Sequence, residues 1–298
     1  MIENKTAGEK FTYFMNYFIL ILFGLVTLLP FLNVVAKSFS GETPVVAGKV
    51  LFWPIDPQVQ TYQFVLREGT FYNSFKISVI ITVLGTVLAI VTTAMTAYPL
   101  SRYNMRGRKI FLYLWVFVML FHGGMIPDYL LYKGIGITNT IWAMIFPQMI
   151  NVFNLLVVKN YFEGLPESLE EAAKIDGASN IRILFQIIIP ISLPVLATIT
   201  LFYAVGYWND YFNAMLYINK PSLKPLQQYL YDVVTTSMRE LESGFGNLQS
   251  ASIDDKINAT PDAVRAATII LSTVPILLVY PFLQRYFIKG IVIGSVKG

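Results

Sequence analysis

The chain has 298 residues, of which 55% are hydrophobic, 15% aromatic and 13% charged, with a mean hydropathy of +0.57. Soluble domains carry roughly 25% charged residues, so a water-facing globule would lack about half the charge it needs. Intrinsic disorder, which demands low hydrophobicity and high charge, is excluded. The chain has no cysteine and one histidine, which removes disulfide frameworks, thiolate metal sites and cysteine nucleophiles and leaves little for a histidine-based metal site. The numbers describe a membrane protein.

The net charge of +4 does not mark a nucleic-acid binder, because no segment interleaves basic residues with exposed aromatics. The densest basic cluster, Arg102, Arg106, Arg108 and Lys109, lies between two long apolar runs, where a cytoplasmic loop carries its positive charge.

Crossing roughly 30 Å of hydrocarbon takes about 20 apolar residues in a helix. In chain order, charge-free runs at or near that length are Phe11–Ala36, Ile77–Leu100, Ile110–Pro127, Gly134–Val158, Ile183–Asn209 and Ala266–Gln284. They are continuous, unlike the alternating segments of a transmembrane barrel. The expectation is an all-α integral membrane protein of six helices. The first run follows Lys5 and Lys10, but its apolar core is too long for a secretory signal, and it reads as a retained helix. The third is interrupted by His122-Gly123-Gly124, and His122 reads as a packing histidine. The expected divisions are a first span and outer loop over 1–70, a transmembrane core over 71–290 and a tail over 291–298.

Six spans put both termini on one side. That side holds Lys5, Lys10, the four basic residues of the Ser101–Lys109 loop, Lys159, Lys174, Arg182, Arg285, Lys289 and Lys297. The positive-inside bias assigns it to the cytoplasm.

Between the fourth and fifth runs, Leu165–Arg182 does not read as a simple loop. Pro166 suits a helix start. Glu167, Glu170 and Glu171 favour the positive end of a helix dipole, and Glu170 and Lys174 are spaced for an i, i+4 pair. Asp176-Gly177 stops the helix, and Ser179 or Asn180 caps a second one. Leu165, Leu169, Ala172 and Ala173 fall near one stripe, where the alanines allow close approach by a partner. The acidic first turn suits protein docking better than anionic lipid.

Polar residues inside spans are the default candidates for a transport path. Gln148, Asn151 and Asn154 recur every three residues on one face of the fourth run, able to bond sugar hydroxyls or neighbouring helices. Tyr207, Trp208, Asn209, Asp210 and Asn213 mix rings with amide and carboxylate groups, as sugar sites do; an interfacial aromatic belt has similar residues. Asp210 could equally pair with a lysine of a neighbouring subunit. With no basic residue at mid-span against it, Asp210 favours a cargo that is not acidic.

One longer pattern is recognisable. Glu171-Ala172-Ala173 is followed after three residues by Gly177, and after nine more by Ile187-Ile188-Ile189-Pro190. This resembles the EAA signature of permease subunits in binding-protein-dependent ABC importers, with Ile189 in place of the usual leucine. Asp176, Phe185 and Pro194 add to the match. The tail from Tyr286 and the Ile126-Pro127 segment look like the carbohydrate-uptake branch that contains the maltose permeases. Phe121-His122-Gly123-Gly124 and Leu201–Asn213 resemble its oligosaccharide subgroup. The resemblance implies a type I importer permease whose two short helices, about 165–187, are coupling helices seated in a cytoplasmic ATPase. Glu171 would be the polar anchor, Ala172 and Ala173 the contact face and Gly177 the turn.

The same resemblance implies a homologous permease partner, two ATPase subunits and an external solute-binding protein that delivers an oligosaccharide, neutral or uronide, at a bacterial cytoplasmic membrane. It places a binding-protein contact in the loop over 217–265, around Gly244, Phe245, Gly246 and Asn247. No cofactor is expected in this chain, and no ATP site: Gly41…Gly48-Lys49-Val50 has six intervening residues where a phosphate loop has four, and Val50 stands where its Ser/Thr belongs. An ion-coupled secondary sugar transporter is the alternative. Its usual internal repeat and midplane charges are not evident.

Overall fold

Inside a bilayer, apolar runs can satisfy their backbone only through helical or closed-barrel hydrogen bonding. Every regular element among the described residues of the computed structural model (7–67, 69–242 and 262–278) is helical. In chain order these are α1 (Ala7–Ser38), α2 (Glu42–Val46), α3 (Gln60–Arg67), α4 (Gly69–Leu100), α5 (Arg108–Leu120), α6 (Met125–Gly134), α7 (Trp142–Ile145), α8 (Val152–Glu163), α9 (Ser168–Ile175), α10 (Asn180–Ile183), α11 (Ile189–Ile191), α12 (Leu193–Trp208), α13 (Phe212–Tyr217) and α14 (Leu226–Glu242). A fifteenth helix, α15, covers 262–278.

Among the described residues, two helices are long and apolar enough to cross a membrane unbroken, over Phe11–Ser38 and Gly69–Leu100. The third, fourth and fifth expected spans are bent pairs. Helices α5 and α6 meet at 113°, and the fourth pair, Trp142–Gln148 and Val152–Glu163, at 52°. Asn180–Ile191 and Leu193–Trp208 meet at 87°. Each bend has a local cause. At the first, Gly123 and Gly124 are poor helix formers, and Gly124 takes a positive φ of +95° that ends the helical path. At the second, Pro147 sits in a 3₁₀ turn, Phe146–Gln148. At the third, Pro190 and Pro194 flank Ser192 and remove backbone donors from the helix. The fifth span is therefore shorter than the expected Ile183–Asn209, because Ile183–Ile191 belongs to the arm before the bend. The sixth, Ala266–Gln284, begins in α15 and continues outside the described residues.

The chain divides into two units. In residues 1–68 and 232–273, α1 is apolar on all sides and its span is unburied within the chain, as a membrane-facing helix is. After it, a small fold closes on Ala36, Val45 and Val50. Asn33 Nδ2 donates to the Leu51 carbonyl at 2.7 Å, Tyr62 OH donates to Ser38 Oγ at 2.7 Å, and the Phe39 and Tyr62 rings lie 4.8 Å apart.

The second unit, 69–231 and 274–298, is organised around α4, which packs along α12 and α8. Gly85, Ala89, Thr93 and Ala97 recur every four residues on α4 and are all buried. Such a small-residue row lets helix backbones approach closely, and large rings from α12 fill the space. A Cβ on Gly85 would stand 2.8 Å from Tyr207 Cζ. Tyr207 OH donates to the Ile145 carbonyl at 2.9 Å. Tyr203 OH lies 2.8 Å from Thr93 Oγ1 and accepts the Asn151 N–H at 3.0 Å. Fully buried Leu155, Val158, Phe162, Ile183, Ile188 and Ile199 continue the same core.

Candidate functional site

The segment Leu165–Arg182 forms a helical hairpin. Helix α9 ends at Gly177, whose φ of +78° is open to glycine without Cβ strain. The Gly177 N–H donates to the Lys174 carbonyl at 3.0 Å and the Ala178 N–H to the Ala173 carbonyl at 2.9 Å. These two bonds make a Schellman cap. Ser179 then caps α10, its hydroxyl accepting the Arg182 N–H. The arm continues through a π-helical turn, Leu184–Ile188, to Ile191 before the 87° bend into α12.

The hairpin sorts its side chains differently from the expected stripe. Glu171, Ala172, Ile175, Asp176 and Gly177 are exposed, while Glu170 and Ala173 are buried. Ala173 packs into the core of its own chain, so it is not open to a partner as the resemblance implied; Ala172 is. Glu170 lies 3.8 Å from Lys174, the expected i, i+4 pair, but it also forms an ion pair with Arg102. Spacing within α9 does not reveal that second partner, because Arg102 belongs to a loop far away in the chain.

That loop also ties helix ends together. Arg102 Nη1 donates to the Phe162 carbonyl at 3.1 Å, and its guanidinium lies over the Tyr98 ring, 5.1 Å from the centroid. Arg108 donates to the Leu100 carbonyl and to Glu163 Oε1, each at 2.8 Å. Lys159, one turn before Glu163 on α8, pairs with the same carboxylate. The Tyr103 hydroxyl is held above its usual range, chiefly by its hydrogen bond to Glu163. The ends of α4, α8 and α9 are thus tied by charge.

The path candidates separate into two groups. Gln148, Asp210 and Asn213 come together: Gln148 Nε2 donates to Asp210 Oδ2, Asn213 Nδ2 donates to the same oxygen at 2.7 Å, and the Asn213 N–H donates to Asp210 Oδ1 at 3.1 Å. Asp210 thus holds three hydrogen bonds within the chain. Asn209, the C-cap of α12, is exposed beside this cluster. Tyr207 and Trp208 point the other way, buried between helices, with Trp208 edge-on to Phe75 at 6.0 Å. Their rings are packing rings here.

Gln148, Asn151 and Asn154 do not share one helix face, because the 52° break falls between Gln148 and Val152. Asn151 is the N-cap of α8, accepting the Asn154 N–H at 3.1 Å, and Asn154 is buried. His122 is exposed at the bend between α5 and α6, 3.6 Å from Asp128, and is not a packing residue. Gly244, Phe245, Gly246 and Asn247 lie outside the described residues.

Comparison with known proteins gives one consistent picture. Residues 81–293 match the family described as binding-protein-dependent transport system inner membrane component. The chain is 43% identical over 299 residues to Protein LplC of Bacillus subtilis, covering 100% of this chain and 98% of that protein. It is 41% identical to the polygalacturonan/rhamnogalacturonan transport system permease protein YtcP of the same organism, covering 95% and 96%. Among solved structures, a bacterial ABC transporter involved in the import of the acidic polysaccharide alginate matches with a TM-score of 0.85 and 33% identity, over 95% of this chain and 99% of that one.

Proposed function

The chain belongs to the family of binding-protein-dependent transport system inner membrane components, a family of transport subunits rather than enzymes, and from that premise we propose how it works. It forms half of the translocation path of an ATP-driven importer and pairs with a homologous permease, two ATPase subunits and an external solute-binding protein. The basic loop Ser101–Gly107 and both termini face the cytoplasm. Hydrolysis of ATP belongs to the partner ATPases.

The observation that carries the coupling role is the exposed face Glu171, Ala172, Ile175 and Asp176, set beside a glycine turn that leads into an arm bent 87° from α12. An ATPase that grips this face more tightly in one conformation than another shifts the permease between inward- and outward-facing states, as differential binding requires. Gln148, Asn209, Asp210 and Asn213 are the path residues of this reading, and the loop around Gly244–Asn247 remains the proposed binding-protein contact.

The cargo is an oligosaccharide, and we assign it to the uronide-containing class. A permease named for polygalacturonan and rhamnogalacturonan and an importer of alginate are both close relatives. The mid-span charge count alone favours a neutral sugar, and hydrogen bonds from the neutral amides of Gln148 and Asn213 to Asp210 do not change that count; the substrate class rests on the relatives. The test is to titrate the cognate external binding protein with neutral and uronide oligosaccharides and to measure uptake of each. Binding and uptake of uronides are expected; a protein that takes only neutral sugars would overturn the substrate class.

A further inference from the structure

Helix α9 is the part of the chain that an ATPase would push, and of its apolar residues only Ala173 is buried. An open pocket of about 380 Å³, lined by Met95 and Pro99 of α4 and by Ile181 and Phe185 of the arm, leaves the packing beside it incomplete. One arginine bridges that region. Arg102 follows the end of α4, ion-pairs with Glu170 of α9, donates to the carbonyl of Phe162 at the end of α8, and covers the Tyr98 ring of α4. Glu170 is 5% exposed and Phe162 fully buried. A planar fork of donors suits such a three-way contact, and lysine does not reproduce it. A carboxylate this buried resists leaving Arg102, because its other cation, the exposed Lys174 at 3.8 Å, would compensate it only weakly. Displacing α9 must therefore carry the ends of α4 and α8 with it.

We propose that Arg102 and Glu170 form the joint that transmits motion of the coupling hairpin to α4 and α8. This rests on the reading of the hairpin as the ATPase-docking element. Arg102 is a positioning residue: it acts through the helices it ties.

The experiment reconstitutes the full complex, with its ATPases and binding protein, and measures sugar taken up per ATP hydrolysed. That ratio is insensitive to how much complex is present. Arg102→Gln is expected to lower it about tenfold, within the range that couplings between sites span, while co-purification of the ATPase persists. Glu170→Gln, which keeps the contacts of Arg102 with Phe162 and Tyr98, carries the same expectation. Arg102→Lys, which keeps the charge and loses the fork, should give an intermediate ratio. A wild-type ratio in Arg102→Gln or Glu170→Gln would overturn the proposal. Failure of both to assemble would also overturn it, by making the pair a folding element. Failure of the docking reading has a different signature, a wild-type ratio in Glu171→Lys on the exposed face.

Discussion

Replacing Gly177 with proline is expected to abolish uptake while leaving the chain in the membrane. Gly177 sits at φ +78°, and proline is confined near −65°, so the turn between α9 and α10 cannot form with it. Proline also lacks the N–H that Gly177 donates to the Lys174 carbonyl. A cost of about 3 kcal/mol or more lowers the ratio of docking-competent to other hairpin conformations by a factor of roughly 100 or more. Gly177→Ala separates the two causes. No atom lies within 4 Å of where its Cβ would be, so only the left-handed conformation is penalised, by about 1–2 kcal/mol. Alanine should impair uptake partially and proline completely, at equal amounts of membrane-inserted chain by immunoblot. Normal uptake by the proline variant would remove the hairpin from the mechanism.

The second large effect concerns packing. Gly85→Leu is expected to destabilise the subunit and lower its yield, because even the first added carbon would meet three atoms of the Tyr207 ring at 2.8–2.9 Å. Tyr207 cannot easily withdraw, since it is buried and its hydroxyl is bonded to the Ile145 carbonyl. Overpacking of this kind costs about 1–3 kcal/mol in ordinary cores, and a leucine here meets a ring fixed at both ends. Thermal unfolding in detergent should show a lowered midpoint, partly recovered when Tyr207→Ala is added to make room. Gly134→Ala, where nothing lies within 4 Å, should leave the midpoint unchanged. If Gly85→Leu unfolds like the parent, α4 and α12 are not packed as described.

Much of the architecture was legible because its signals are local. Uncharged apolar runs mark helical spans, Asp176-Gly177 a turn, and Ser179 or Asn180 a cap, of which the chain uses Ser179, each from a few neighbouring residues. The elements that were misread depend on distant partners. Glu170 and Glu171 are adjacent acids in one helical turn, and only the position of Arg102 decides that the first turns inward. Tyr207 and Trp208 have the composition of a sugar-stacking pair, and composition does not distinguish that from rings seated on a glycine. A signal for the packing was present all the same, in the four-residue spacing of Gly85, Ala89, Thr93 and Ala97. Gln148, Asn151 and Asn154 share a face only if the helix between them is unbroken, and Pro147 marks where it breaks. The 87° bend at Ser192 likewise follows from Pro190 and Pro194, which a hydropathy run passes over.

The central claim is that this chain moves sugar with energy delivered through Glu171, Ala172 and Gly177 by a partner ATPase. The direct measurement is uptake of a labelled oligosaccharide into sealed vesicles holding the complete complex, with ATP supplied at the ATPase face and a proton and sodium ionophore present. Uptake should persist under the ionophore and vanish when ATP or the ATPase is withheld. Uptake that survives without ATP and collapses with the ion gradient would identify an ion-coupled carrier and contradict the account.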